Sequence, residues 1–141
     1  MKLISNNDYI WILGGGRMQY YNLLEAKNLG YKTIITDANE NCFCRSKTDL
    51  FYKIDIFDIK KNLKLLAKIK NKINIKSIFV GGIDCTITAA TLAEKLNLIT
   101  SGIKIAKITN NKFLFRKFLL KNNLLDFPFL KISKVNNKTE N

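Results

Sequence analysis

The sequence predicts an α/β fold, an open parallel sheet of about four strands flanked by helices. Three observations lead there. Short apolar runs rich in β-branched residues alternate with segments whose apolar residues recur at helical spacing. Two of the runs stop at glycines, Gly14-Gly15-Gly16 and Gly81-Gly82, and a helical segment follows each stop. The 141 residues, with 47% hydrophobic and 25% charged side chains, suit a single globular core.

Tyr9 to Leu13 (YIWIL) is a continuous apolar run, as a strand buried on both faces requires. From Met18 to Leu29, Tyr20, Leu23, Leu24 and Ala26 fall at helical spacing, and Gly30 supplies a C-terminal stop. Lys32 to Thr36 (KTIIT) reads as a second buried strand that ends at Asp37. After the polar loop ANENCFCRSKTD, Leu50 to Ile54 gives a shorter third strand. Ile59, Leu63, Leu66 and Ile69 then share one helix face, with lysines between them. Ser77 to Val80 is the fourth strand, closed by Gly81-Gly82, and Thr86 to Leu96 is the helix after it. Asn110 to Asn122 is an amphipathic helix carrying Phe113, Leu114, Phe118 and Leu119. The only proline, Pro128, follows, and the tail KISKVNNKTEN is polar. Right-handed crossovers between parallel strands place both glycine turns at the carboxyl edge of the sheet, with the first and fourth strands flanking a topological switch point. Ligands of open α/β sheets bind at that edge.

Composition narrows the function. The opening MKLISNNDYIWIL lacks the apolar region of a secretory signal, and no apolar stretch of about 18 residues occurs, so the expected location is cytoplasmic, with no membrane association. Cys42, Cys44 and Cys85 are an odd set in a chain without histidine, so reduced thiols are expected and no metal site. With no histidine to act as a base, Cys85 reads as a small buried residue rather than a nucleophile. The net charge of +13 draws in polyanions and phosphorylated small molecules alike. Only 3 of the 24 basic residues are arginine, and no aromatic platform is interleaved among the lysines, so nucleic acid is not the expected partner.

Two segments carry candidate chemistry. Gly14-Gly15-Gly16-Arg17-Met18 sits between a buried strand and a helix start. Glycines there let the backbone approach a ligand, and free N–H groups with the helix dipole favour a phosphate or carboxylate, to which Arg17 adds a guanidinium fork. The same glycines also serve a tight turn that holds no ligand. A dinucleotide reading takes Gly14 and Gly16 as the first two glycines of its fingerprint and Asp37 as the ribose acceptor. Gln19 occupies the third glycine's place, where a long side chain obstructs close helix-to-strand packing. No Gly-Lys-Ser/Thr follows, so a Walker-type loop fails as well. The second segment is Gly81-Gly82-Ile83-Asp84-Cys85-Thr86. Asp84 either faces the same crevice, to take an amino or hydroxyl group of a substrate, or caps the next helix. No catalytic residue is assigned.

In order, the segments YIWILGGGRMQ, LLEAKNLGYKTIITDANEN, FYKIDIFD, IFVGGIDCTITAATLAEKLNL and TNNKFLFRKFLLKNNL before FPFLKIS span nearly the whole chain. Together they resemble the amino-terminal, Rossmann-like (preATP-grasp) domain of the ATP-grasp ligases, a family that includes the large chain of carbamoyl-phosphate synthase, biotin carboxylase and ATP-grasp amino-acid ligases. The resemblance implies a ligase in which a carboxylate is activated as an acyl phosphate and captured by an amine, with ATP and magnesium held by later domains. It implies that Gly14, Gly15, Gly16, Arg17, Asp37, Gly81, Gly82 and Asp84 line the side of a small-molecule acceptor substrate. Residues 1–108 would form the preATP-grasp domain. Residues 109–141 would form a linking helix, with Lys112 on the ATP side, and the start of a truncated ATP-grasp domain.

The family's ATP-contacting lysines and magnesium ligands would lie beyond Asn141. The expectation is therefore a fragment, a truncated product or one half of a split enzyme, inactive alone and holding neither ATP nor magnesium by itself. Its partner would be the missing ATP-grasp region, another chain or a second copy. The alternative is a stand-alone nucleotide- or dinucleotide-binding Rossmann module.

Overall fold

A computed structural model of the chain describes residues 4–124, 126–130 and 132. The elements run β1 (Asp8–Leu13), α1 (Arg17–Asn28), β2 (Lys32–Asp37), β3 (Leu50–Lys53), α2 (Ile59–Ile69), β4 (Asn74–Phe79), α3 (Thr86–Lys95), α4 (Ile103–Thr109) and α5 (Lys112–Lys121). The four strands are parallel and lie in the order β3-β2-β1-β4. The chain builds outward from β1 through β2 to β3, then returns to place β4 on the other side of β1. The order reverses between β1 and β4, which makes the gap beyond their carboxyl ends the switch point expected from the sequence.

Both faces of β1 are covered, which is why its apolar run is continuous. On one face Trp11 and Leu13 join Ile34, Ile75, Leu65, Leu66 and Leu92, so α2 and α3 pack there. On the other, Ile12 and Ile35 meet Leu23 of α1 and Cys44 of the loop after β2. The Trp11 indole N–H donates to the Thr36 hydroxyl at 3.1 Å, which satisfies the one polar group of the largest core side chain. Thr33 and Asp49 tie the end of that loop back to β2, since the Asp49 carboxylate accepts from both the Thr33 N–H and hydroxyl at 2.9 Å.

The structure departs from the sequence expectation by more than one residue at β4, α4 and α5. β4 begins at Asn74 rather than Ser77. A register shift opposite Tyr9 and Ile10 takes Lys76 out of the alternation, and its ammonium pairs with Asp8 at 3.6 Å, so the strand's first half reads as polar. The seven-residue helix α4 has no counterpart in the expectation; it starts after Gly102, at φ +85°. The helix expected over Asn110–Asn122 begins at Lys112, because the Asn111 side chain caps it by accepting the Phe113 and Leu114 N–H groups, each at 3.1 Å. Leu114, Phe115, Phe118 and Leu120 of this helix are exposed. Of the polar tail, all but Ile132 lies outside the described residues. Among the described residues no helix is long and apolar enough to cross a membrane.

Candidate functional site at the shared rim of two glycine turns

β1 and β4 end side by side, and the two glycine turns leave them at the same edge. Gly14 at φ +91° and Gly82 at φ +71° occupy the left-handed region, which favours glycine over any residue with a Cβ. The turns touch: a Cβ on Gly14 would press on the Ile83 side chain, and one on Gly82 would meet Met18. Gln19 joins them outright. Its side chain is 2% exposed; Oε1 accepts the Gly16 N–H at 3.0 Å and Nε2 donates to the Gly81 carbonyl at 2.6 Å. The residue expected to obstruct packing thus fills the space between the turns, while Leu23 and Ala26 still seat α1 on the sheet.

The expectation of free glycine amides is corrected by the same geometry. The Gly14 N–H donates to the Thr36 carbonyl at 2.9 Å, that of Gly15 to Asp37 Oδ2 at 2.7 Å, and that of Gly16 to Gln19. Buried backbone donors need partners, and here the fold supplies all three. An anion at this rim would meet instead the Arg17 and Met18 N–H groups, which open α1 and have no intrahelical acceptor by position, and the exposed Arg17 side chain; the Gln19 N–H already donates to the Gly16 carbonyl at 3.2 Å. The Arg17 guanidinium stacks 5.3 Å from the centre of the Phe43 ring.

Asp37 faces the turn rather than the solvent. Its second oxygen accepts the Asn39 N–H at 2.7 Å, so the carboxylate pins both the glycine turn and its own loop. Asp84 is exposed, and its side chain does not cap α3, whose N-cap is Cys85. Asn110, which sequence reasoning missed, fixes this second turn: its amide donates to the Asp84 carbonyl at 3.0 Å and its oxygen bonds the Thr86 hydroxyl. Gly81 is half-buried beside Asn22 and Phe79, which also line an apolar cavity of about 240 Å³ between α1 and β4. Lys112 is exposed at the start of α5.

The cysteines are free thiols that support the turns from behind. The Cys44 N–H donates to the Gly15 carbonyl at 2.8 Å, and the Cys42 sulfur sits where a Cβ on Gly15 would go. Burial pushes the Cys85 thiol up to about 11, and neighbouring Asp84 adds to the shift. Cys42 and Cys44 are raised as well, first by burial. Such thiols are poor nucleophiles. Among the described residues no group of three or more His, Cys, Asp or Glu side chains forms a metal centre.

Several solved structures share this architecture. Phosphoribosylglycinamide synthetase from Anaerococcus prevotii superimposes with a TM-score of 0.72 at 24% identity, over 83% of this chain and 29% of that one. N5-carboxyaminoimidazole synthetase from Staphylococcus aureus, complexed with ADP, gives 0.70 at 21% identity, over 92% and 33%. The L-amino acid ligase from Bacillus licheniformis gives 0.69 at 16% identity, over 93% and 36%. The chain has the fold of one part of the ATP-grasp ligases. The resemblance read from the five ordered segments is thus upheld at the level of fold, and the chain spans about a third of the length of these enzymes. No protein-family model and no curated protein matches the chain.

Proposed function

We propose that the chain is the acceptor-side domain of an ATP-dependent carboxylate–amine or carbamoyl-phosphate-type ligase, inactive by itself. The observation that supports this most is the single rim made by two turns that Gln19 holds together at the switch point of the sheet. In this reading Gly16, Gly81 and Gly82 let an acceptor lie close to the backbone, while Gly14 and Gly15, buried beneath them, set the path of the first turn. Arg17 and the first turn of α1 hold its anionic group. Asp84 orients its amine, and Asp37 keeps the first turn in shape. When bound in the complete enzyme, ATP with magnesium supplies the phosphoryl group that activates the carboxylate. The described residues of this chain offer no ligand cluster for the metal, so no step through it is assigned to them. Lys112 leads toward the ATP side, with residues 1–108 as the acceptor domain and 109–141 as the start of the ATP-grasp region. In the complete enzyme an ATP-grasp region, carried by the same chain, another subunit or a second copy, completes the site in the cytoplasm.

Two assays on the chain test this. Thermal-shift titration should show stabilisation by amine-bearing acceptors that also carry a carboxylate or phosphate, and none by NAD or a mononucleotide. ATP hydrolysis with magnesium and the same acceptors should be absent. Stabilisation by NAD alone would favour the dinucleotide-binding module, and robust turnover would overturn the division of labour.

A further inference from the structure

The linear sequence has no aromatic platform among its basic residues, but folding assembles one. Phe43, in the loop between β2 and β3, has the Arg17 guanidinium 5.3 Å and the Lys47 ammonium 4.2 Å from its ring centre. Tyr20 meets Phe43 edge-on at 5.4 Å, and Tyr21 lies 5.8 Å from Tyr20. Arg45 sits over Phe51 at 4.5 Å, so two of the three arginines in the chain belong to this one surface.

The surface is exposed and electrostatically unbalanced. Tyr21 is 74% exposed and Phe43 40%. Lys27, Lys53, Lys61 and Lys76 each pair with a carboxylate, whereas among the described residues Arg17, Arg45 and Lys47 make no ion pair. The acid whose charge Arg45 senses, Glu40, is held by Lys53 at 3.0 Å. The loop is also fixed in place. Cys44 bonds Gly15, the Lys47 ammonium donates to the Phe43 carbonyl at 3.1 Å, and Thr48 bonds Thr33. A preorganised cluster of cations and exposed rings suits one chemistry above others: phosphates regularly spaced along a strand whose bases are unstacked. We propose that this face binds single-stranded nucleic acid, with Arg45 and Lys47 on phosphates and Tyr21 and Phe43 stacking on bases. A diffuse lysine surface would attract any polyanion; the rings distinguish this site, because a duplex or an acidic peptide offers them no free base.

The test is fluorescence anisotropy of the full chain with a short labelled oligothymidylate, between about 50 and 200 mM salt. Phe43→Leu, which keeps the apolar packing and removes the ring, should weaken binding about tenfold. The double variant Arg45→Ala/Lys47→Ala should flatten the slope of log affinity against log salt by about 1.4, the single-strand value for two phosphate contacts. Lys104→Ala/Lys107→Ala on α4 removes the same charge elsewhere and should cost less than about threefold. Arg17 stays intact in every variant, so the outcome is independent of the acceptor-side reading, and circular dichroism verifies the fold. Binding that Phe43→Leu leaves unchanged, equal loss in the α4 variant, or equal competition by duplex DNA or polyglutamate would overturn the proposal in favour of diffuse charge.

Discussion

The Gln19 side-chain amide donates to the Gly81 carbonyl at 2.6 Å and so binds together residues 62 positions apart. Its oxygen holds Gly16 at the same time, which makes one buried side chain the tie between both turns. A site built from the two turns therefore inherits its shape from a residue that need not touch a ligand.

Gln19→Met keeps the volume and deletes both bonds. Leaving the Gly16 N–H and the Gly81 carbonyl without partners should cost about 2 kcal/mol in a urea unfolding titration. Hydrogen exchange at Gly16 should accelerate in the folded state. A variant as stable as the parent, with Gly16 equally protected, would show that the tie is unimportant.

Asp37→Ala tests the second support. It removes the acceptor of the Gly15 and Asn39 N–H groups while sparing the backbone pairing of β2. The expected loss is about 2 kcal/mol, the scale for hydrogen bonds to a charged group. Gly15→Ala should be worse, because its Cβ would strike the Cys42 sulfur and Ile35. A Gly15→Ala melting temperature equal to that of the parent would contradict this packing.

The fold was legible where local pattern and tertiary role coincide. YIWIL is apolar throughout and KTIIT is β-branched after Lys32 because β1 and β2 are covered on both faces, and Gly14 and Gly82 mark turns because their backbone angles favour glycine. The start of β4 was hidden because Lys76 sits in a register shift and finds Asp8, a partner supplied by β1. α4 was hidden by its length, and α5 lost its first residues to an asparagine cap that pattern alone does not place. The rim was legible as a location. Its internal wiring was not, because Gln19, Asn110 and Cys42 act on residues distant in sequence. The Phe43 cluster was invisible for the same reason.

Acid should unfold the chain through identifiable carboxylates. Burial pushes Asp49 upward, but bonds from the Thr33 N–H and hydroxyl and the charge of Lys27 outweigh it, leaving its pKa below the ordinary 3.8. Asp8 is likewise lowered, with burial opposed by Ser5, Asn74 and Lys76. The folded state binds these protons more weakly than the unfolded chain, so their stabilisation is complete above the ordinary value and is lost as pH falls through the folded one. Melting temperature should drop steeply below pH 3.8, the ordinary carboxyl value. Asp49→Ala should melt lower at neutral pH, with the gap closing in acid. A gap that is constant with pH would contradict the assignment.

The thiols should be inert in the folded chain. With Cys85 at about 11, roughly one part in a thousand is thiolate at pH 8, and the site is also closed to reagent. Reaction with Ellman's reagent should be slow until denaturant is added, after which three thiols should titrate. Rapid labelling of the native chain would mean that the back of the glycine turn opens.

If the two turns act as one acceptor-binding rim, a nitrogen–proton correlation spectrum recorded through an acceptor titration will register both at once. The amides of Gly14 to Met18 and of Gly81 to Asp84 should shift together, with one shared dissociation constant. Shifts confined to one turn, or absent from both while an acceptor is bound elsewhere, would contradict it.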